Sequence, residues 1–194
     1  MPLMRRPADP NQALKERAAR WLITPSALVE LSLDDALQVV DYMRPRQLAA
    51  GTVVLREGDT ATSDHMLLVL EGELSVEKRS QQSADGDMVV RVMGPGSLIG
   101  ELGLLDGAPR SASCVAQTDL SVAVMTRQQL LRLLQEQPRV GAKLVLAISK
   151  RMADHLREMT RKLELLSKMN RALGEELTAL PGEAAWNEWG RPGQ

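Results

Sequence analysis

The stretch of this sequence with the most chemistry is residues 94–116, GPGSLIGELGLLDGAPRSASCVA. A Gly-Pro-Gly turn leads into a short apolar segment punctuated by Gly100 and Gly103. Gly107-Ala108-Pro109 then returns the chain to Arg110. Glycine lets the backbone approach a ligand closely, and a helical turn starting near Gly100 would aim its unpaired N–H groups outward as an anion site. Arg110 follows a turn and is placed to face the same point. A guanidinium beside several backbone amides suits a phosphate, because its planar fork makes paired, charge-assisted bonds.

Glu101 does not belong in a bare phosphate site, since a carboxylate there repels the anion unless it has a donor of its own to hold. A sugar hydroxyl is such a donor, and phosphate plus ribose specify a nucleotide. The alternative is an ion pair between Glu101 and Arg110 across an unliganded loop, and pattern alone leaves both open.

Other chemistry finds little support. Neither His65 nor His155 has a Ser, Cys or Asp partner in a recognisable motif, and no paired carboxylates are placed across a cleft. The single cysteine, Cys114, sits in a β-rich run, where an inert buried thiol is expected. One cysteine and two histidines cannot build the usual structural zinc site. The expectation is a binding protein with no metal, not an enzyme.

The elements around this loop change period along the chain. Residues 11–23, opened by Asp9-Pro10, predict a helix with Leu14, Ala18, Trp21 and Leu22 on one side. Residues 34–42 predict a second, turning Leu37, Val40 and Met43 inward. Short β-rich runs follow at 52–55, 66–70, 74–78, 88–93, 114–116 and 120–125, separated by turns such as Glu57-Gly58-Asp59, Glu71-Gly72-Glu73 and Asp85-Gly86-Asp87. With no helices between them, they argue for a mainly β fold with flanking helices, an antiparallel jelly-roll-like β-roll, and exclude a Rossmann sheet.

After residue 126 the pattern is helical again: 128–136, then Pro138 and no further proline until Pro181. A helix over 138–180 has a length of about 65 Å, longer than the domain that carries it. Leu156, Met159, Leu163, Leu166, Asn170, Leu173, Leu177 and Leu180 alternate three and four apart, the seam of a parallel coiled coil with Asn170 at an a position. A homodimer through this helix is expected. Trp186 and Trp189 in the tail either staple it to a neighbouring surface or mark a disordered end.

The net charge of −1 conceals a partition: residues 26–137 hold nine basic and sixteen acidic side chains, while 138–180 hold nine basic and five acidic. An acidic middle with three Trp, one Tyr and no Phe is poor for direct nucleic-acid binding. No apolar signal region or membrane-length run is present, so a cytoplasmic location is expected.

On these residues, Gly100-Glu101-Leu102-Gly103-Leu104-Leu105 followed by Pro109-Arg110-Ser111-Ala112, the loop resembles the phosphate-binding cassette of cyclic-nucleotide-binding domains, especially bacterial ones of the cyclic-AMP receptor type. The likeness runs over about residues 28–170 and takes in the Ala50-Gly51 to Gly58-Asp59 turns, Val69-Leu70-Glu71-Gly72 and the long helix. The resemblance implies that Glu101 binds the ribose 2′-hydroxyl, that Arg110 and Ser111 bind the cyclic phosphate, and that amides around Gly100 and Leu102 complete the cradle. Ser111 and Ala112 resemble the cyclic-AMP type, with cyclic GMP the other ligand open. For the base it offers Thr160, and Arg91, on the strand before Gly94, is a further candidate; an exposed helical Thr and a solvated strand Arg are the plain alternatives.

Receptors of that type continue into a winged helix-turn-helix, whereas the fourteen residues from Pro181 are too few for one. The expected organisation is thus an N-terminal arm and helix (1–25), a cyclic-nucleotide-binding roll (26–137), a dimerisation helix (138–180) and a tail (181–194). The expected role is a stand-alone cyclic-nucleotide sensor acting as a homodimer on its own shape or on a protein effector. A non-binding dimeric scaffold and a transcriptional regulator are the alternatives.

Overall fold

The computed structural model describes residues 10–25, 27–28, 31–60, 63–79 and 87–179. The expected Asp9 cap, the Asp85-Gly86 turn and the Trp186/Trp189 tail lie outside the described residues.

Two helices open the chain. Helix α1 (Pro10–Leu22) has proline at its first position, where the missing N–H costs no hydrogen bond, and it buries Ala18, Ala19 and Leu22. Helix α2 (Leu33–Val40) begins one residue earlier than the sequence predicts, because Ser32 caps it. Asp35 N donates to Ser32 Oγ at 3.1 Å while Ser32 N donates to Asp35 Oδ2 at 3.3 Å, a reciprocal capping box. Val39 and Val40 are buried from this helix; Leu37 is only half-buried.

Eight strands follow: β1 (Arg44–Leu48), β2 (Val53–Leu55), β3 (His65–Glu71), β4 (Leu74–Arg79), β5 (Asp87–Met93), β6 (Leu98–Ile99), β7 (Ser113–Ala116) and β8 (Leu120–Thr126). They form two four-stranded antiparallel sheets in the orders β1-β8-β3-β6 and β2-β7-β4-β5. The β-roll expected from the sequence is present, with two strands it did not signal. β1 is an edge strand reading Arg-Pro-Arg-Gln-Leu with four exposed positions, and proline with charges suits an edge that must not pair further. β6 has only two residues, below the length at which periodicity is visible.

The core between the sheets is Leu55, Leu67, Val69, Leu74, Ile99, Cys114, Ala116, Leu120 and Val122. Strand alternation turns Met66, Leu68 and Leu70 to the opposite face of β3, which packs against α1, so β3 is buried on both sides and its sequence is continuously apolar. Burial pushes the Cys114 thiol up to about 11, matching the inert thiol expected.

A short helix, α3 (Glu101–Asp106), joins β6 to the loop before β7, and α4 (Arg127–Glu136) follows β8 with a Thr126–Gln129 capping box. Gln137 closes α4, and Pro138 opens α5 (Pro138–Ala179), 42 residues long. The chain divides into two compact units, Met1–Arg151 and Met152–Gln194. Within the second, Leu156, Met159, Leu163, Leu166 and Leu173 are all exposed on the helix. Among the described residues, no helix is long and apolar enough to cross a membrane.

Candidate functional site

The site is built where β6, α3 and the loop entering β7 meet. Arg110 is 5% exposed, deep for a group that keeps its charge at any physiological pH. Backbone bonds in both directions fix its position: Arg110 N donates to Asp59 O at 3.1 Å, and Gly58 N donates to Arg110 O at 2.9 Å. Its guanidinium turns inward, with Nη1 donating to Gly100 O at 3.0 Å and Nη2 to His65 O at 2.7 Å. Burial works against the charge, and the Asp64, Asp59 and Glu101 carboxylates offset part of it.

The two glycines of the loop are explained by this guanidinium. Gly100 caps α3 at φ +79°, a conformation that other residues rarely adopt, and a Cβ there would stand 2.7 Å from Arg110 Nη1 and 2.9 Å from His65 O. A Cβ on Gly103 would stand 2.8 Å from Arg110 Nη1 and overlap Ser63 O. The sequence suggested that glycine admits a ligand to the backbone; in the structure it admits the arginine beneath α3.

Glu101, the first residue of α3, makes its ion pair among the described residues with Arg151 of α5, whose Nε lies 3.6 Å from Glu101 Oε1. Arg151 also donates from Nη2 to Leu98 O at 3.3 Å, so it bridges the start of β6 and the start of α3. Leu102 follows, partly exposed, and Ser111 and Ala112 continue from Arg110, Ser111 exposed and Ala112 half-buried. Gly100, Glu101, Leu102, Arg110, Ser111 and Ala112 therefore share one loop-and-helix unit.

Arg91 pairs across the ladder with Val76, which pairs in turn with Cys114; directly opposed residues share a face, so Arg91 lies on the core-facing side of its sheet at the exposed end. Thr160 belongs to the second unit, where its Oγ1 donates to Leu156 O at 3.0 Å. Arg151, His65, Ser63 and Gly103 were not singled out from the sequence as site residues. Arg151 is one of nine basic residues in 138–180, and no spacing separates it from its neighbours; Gly103 carried a signal in its three-residue separation from Gly100.

Residues 45–137 match the family model described as "Cyclic nucleotide-binding domain". These residues are similar to that family. The chain is 25% identical over 130 residues to a CRP-like cAMP-activated global transcriptional regulator of Mycobacterium tuberculosis, covering 67% of this chain and 53% of that protein. It is 30% identical over 128 residues to the cyclic AMP receptor protein of Thermus thermophilus, covering 66% and 56%. Among solved structures, a cyclic nucleotide-binding domain from Methylobacillus flagellatus superposes with a TM-score of 0.65 at 28% identity, covering 77% of this chain and 82% of that one. The chain spans about half the length of these two curated relatives.

Proposed function

We propose that this protein is a cyclic-AMP sensor. In this proposal Arg110 and Ser111 hold the cyclic phosphate, Glu101 holds the ribose 2′-hydroxyl, and amides around Gly100 and Leu102 complete the cradle. The observation that carries it is the buried Arg110 guanidinium locked to Gly100 O, one residue from the Glu101 carboxylate, which sets a cation and an acceptor side by side on a rigid turn. Two relatives are named for cyclic AMP, which favours adenine as the base. Arg91, on the core-facing side of β5, is the proposed base contact in this unit, with Thr160 the second candidate.

The exposed leucine seam of α5 supports action as a homodimer, and a ligand signals through it only by favouring one helix arrangement over another. A thermal-shift titration tests binding: cyclic AMP at about 100 times its Kd adds roughly 2.7 kcal/mol of stability. No shift with any cyclic nucleotide rejects the sensor.

One observation favours a second function, the non-binding scaffold. Two of the donors of Arg110 already serve main-chain carbonyls, as in a self-filled site. A scaffold would dimerise normally and give a flat titration.

A further inference from the structure

His65 opens β3 opposite Thr126, and from 65 to 69 the ladder runs without a bulge. Residues 65, 67 and 69 therefore share a face, and Leu67 and Val69 lie in the core between the sheets. The imidazole is turned to the inner side of the roll, where its side chain is 19% exposed. The carbonyl of the same residue accepts from Arg110 Nη2 at 2.7 Å. One residue thus fixes the guanidinium with its main chain and carries a titratable ring on the inner side of the same roll.

The charged groups around the ring come from three segments. Arg110 faces it from the approach to β7, Asp64 from its own segment with Oδ1 3.6 Å from Nδ1, and Asp59 from the β2–β3 loop. Burial and then Arg110 hold the imidazole below its ordinary 6.5, while Asp64 and Asp59 pull the other way without reversing the balance. At neutral pH the ring is uncharged beside a permanent cation.

We propose that His65 is a proton-linked second cation of the anion site, taking up a proton when a phosphate occupies Arg110, so that nucleotide affinity rises as the solution is acidified. This rests on Arg110 being the phosphate ligand. An anion at Arg110 offsets the field that keeps the ring neutral, and linkage requires that protonating the ring strengthen anion binding by the same factor. A cyclic phosphodiester keeps its single charge between about pH 5 and 8, and Arg110 does not titrate there. The imidazole is the one group in this set with a proton to exchange.

Isothermal titration of cyclic AMP into the full chain at about pH 7.5 and about pH 5.5 tests it, beside His65→Gln, which keeps the main-chain carbonyl. The wild type should bind about three- to tenfold tighter at the lower pH, since one pKa unit of linkage equals a factor of ten. Repeating the titration near pH 6 in buffers of different ionisation heat should register net proton uptake by the wild type, whether or not the variant folds. In His65→Gln the ratio of the two affinities should fall to about one. Binding that is equally strong at both pH values, or a ratio that survives in the variant, overturns the proton link and leaves the phosphate site standing. Absence of binding at either pH removes the phosphate site itself and the link with it.

Discussion

Arg151 Nε stands 3.6 Å from Glu101 Oε1, which joins α5 to the first residue of α3 and holds the carboxylate while Arg110 is engaged with main-chain carbonyls. Both partners are largely buried, at 23% and 20% side-chain exposure, so the pair is less screened than a surface bridge. Arg151 is a positioning residue for Glu101.

This position gives the first prediction. Arg151→Gln should weaken cyclic-AMP binding about three- to tenfold, or about 0.7–1.4 kcal/mol, since each 1.4 kcal/mol is a factor of ten. The sharper readout is the ratio of affinities for cyclic AMP and its 2′-deoxy analogue, measured by competition. In Arg151→Gln the ratio should shrink, because a loosened Glu101 no longer distinguishes the hydroxyl. An unchanged ratio would separate Arg151 from Glu101.

Steric room beneath α3 can be tested by stability alone. Gly103→Ala puts a Cβ into overlap with Ser63 O and 2.8 Å from Arg110 Nη1, so it should cost on the order of 1–3 kcal/mol in denaturant unfolding. Gly174→Ala is the control: nothing lies within 4 Å of where its Cβ would stand, and in a helix it should stabilise by roughly 0.5–1 kcal/mol. Equal effects at the two positions would contradict the packing described.

Acid stability should report the Asp35–Lys143 pair, whose Nζ–Oδ2 distance is 2.6 Å and which ties α2 to α5 within the first unit. The Lys143 hydrogen bond, aided by Ser32, holds the Asp35 carboxyl below its ordinary 3.8. A carboxyl depressed on folding contributes stability above its unfolded value and loses it as pH falls through the folded one. Asp35→Asn should therefore lower Tm at neutral pH, and the gap to wild type should close below about pH 3.8. A gap independent of pH would mean that the variant acts through packing.

Much of this architecture was legible because its signals are local. Gly-punctuated turns between short β-rich runs marked the roll, and the unbroken stretch after Pro138 marked α5. What escaped is set by tertiary context. β1 is composed as a loop, with Pro45 between two arginines, and becomes a strand because β8 offers it an edge. Within the site, Gly100, Glu101 and Arg110 announced themselves by type and spacing, but what the glycines make room for did not. Arg110 and Gly100 are ten positions apart, and the arginine is held against the glycine by backbone bonds to Gly58 and Asp59 from another loop. Arg151 is brought to Glu101 by the docking of α5, which no pattern near residue 101 encodes.

The second unit supplies its own test. Leu163 and Leu166 are 65% and 54% exposed on α5, at seam positions where a second copy would bury them. Leu163→Lys/Leu166→Lys should sediment as a monomer under conditions where the wild type is a dimer. Asn170→Leu should keep or raise stability while broadening the oligomers formed, since a buried Asn at an a position selects two strands. A wild-type monomer would remove the dimer.

Arg110 is the proposed phosphate ligand, and calorimetric titration of cyclic AMP into the wild type and Arg110→Ala is the measurement that reaches it. Saturable binding at one ligand per chain is expected for the wild type, with affinity reduced by tenfold to a hundredfold or more in the variant, as loss of a buried charge-assisted contact of roughly 1.5–3 kcal/mol requires. Undiminished affinity in Arg110→Ala, or no binding heat in the wild type with any cyclic nucleotide, would contradict it.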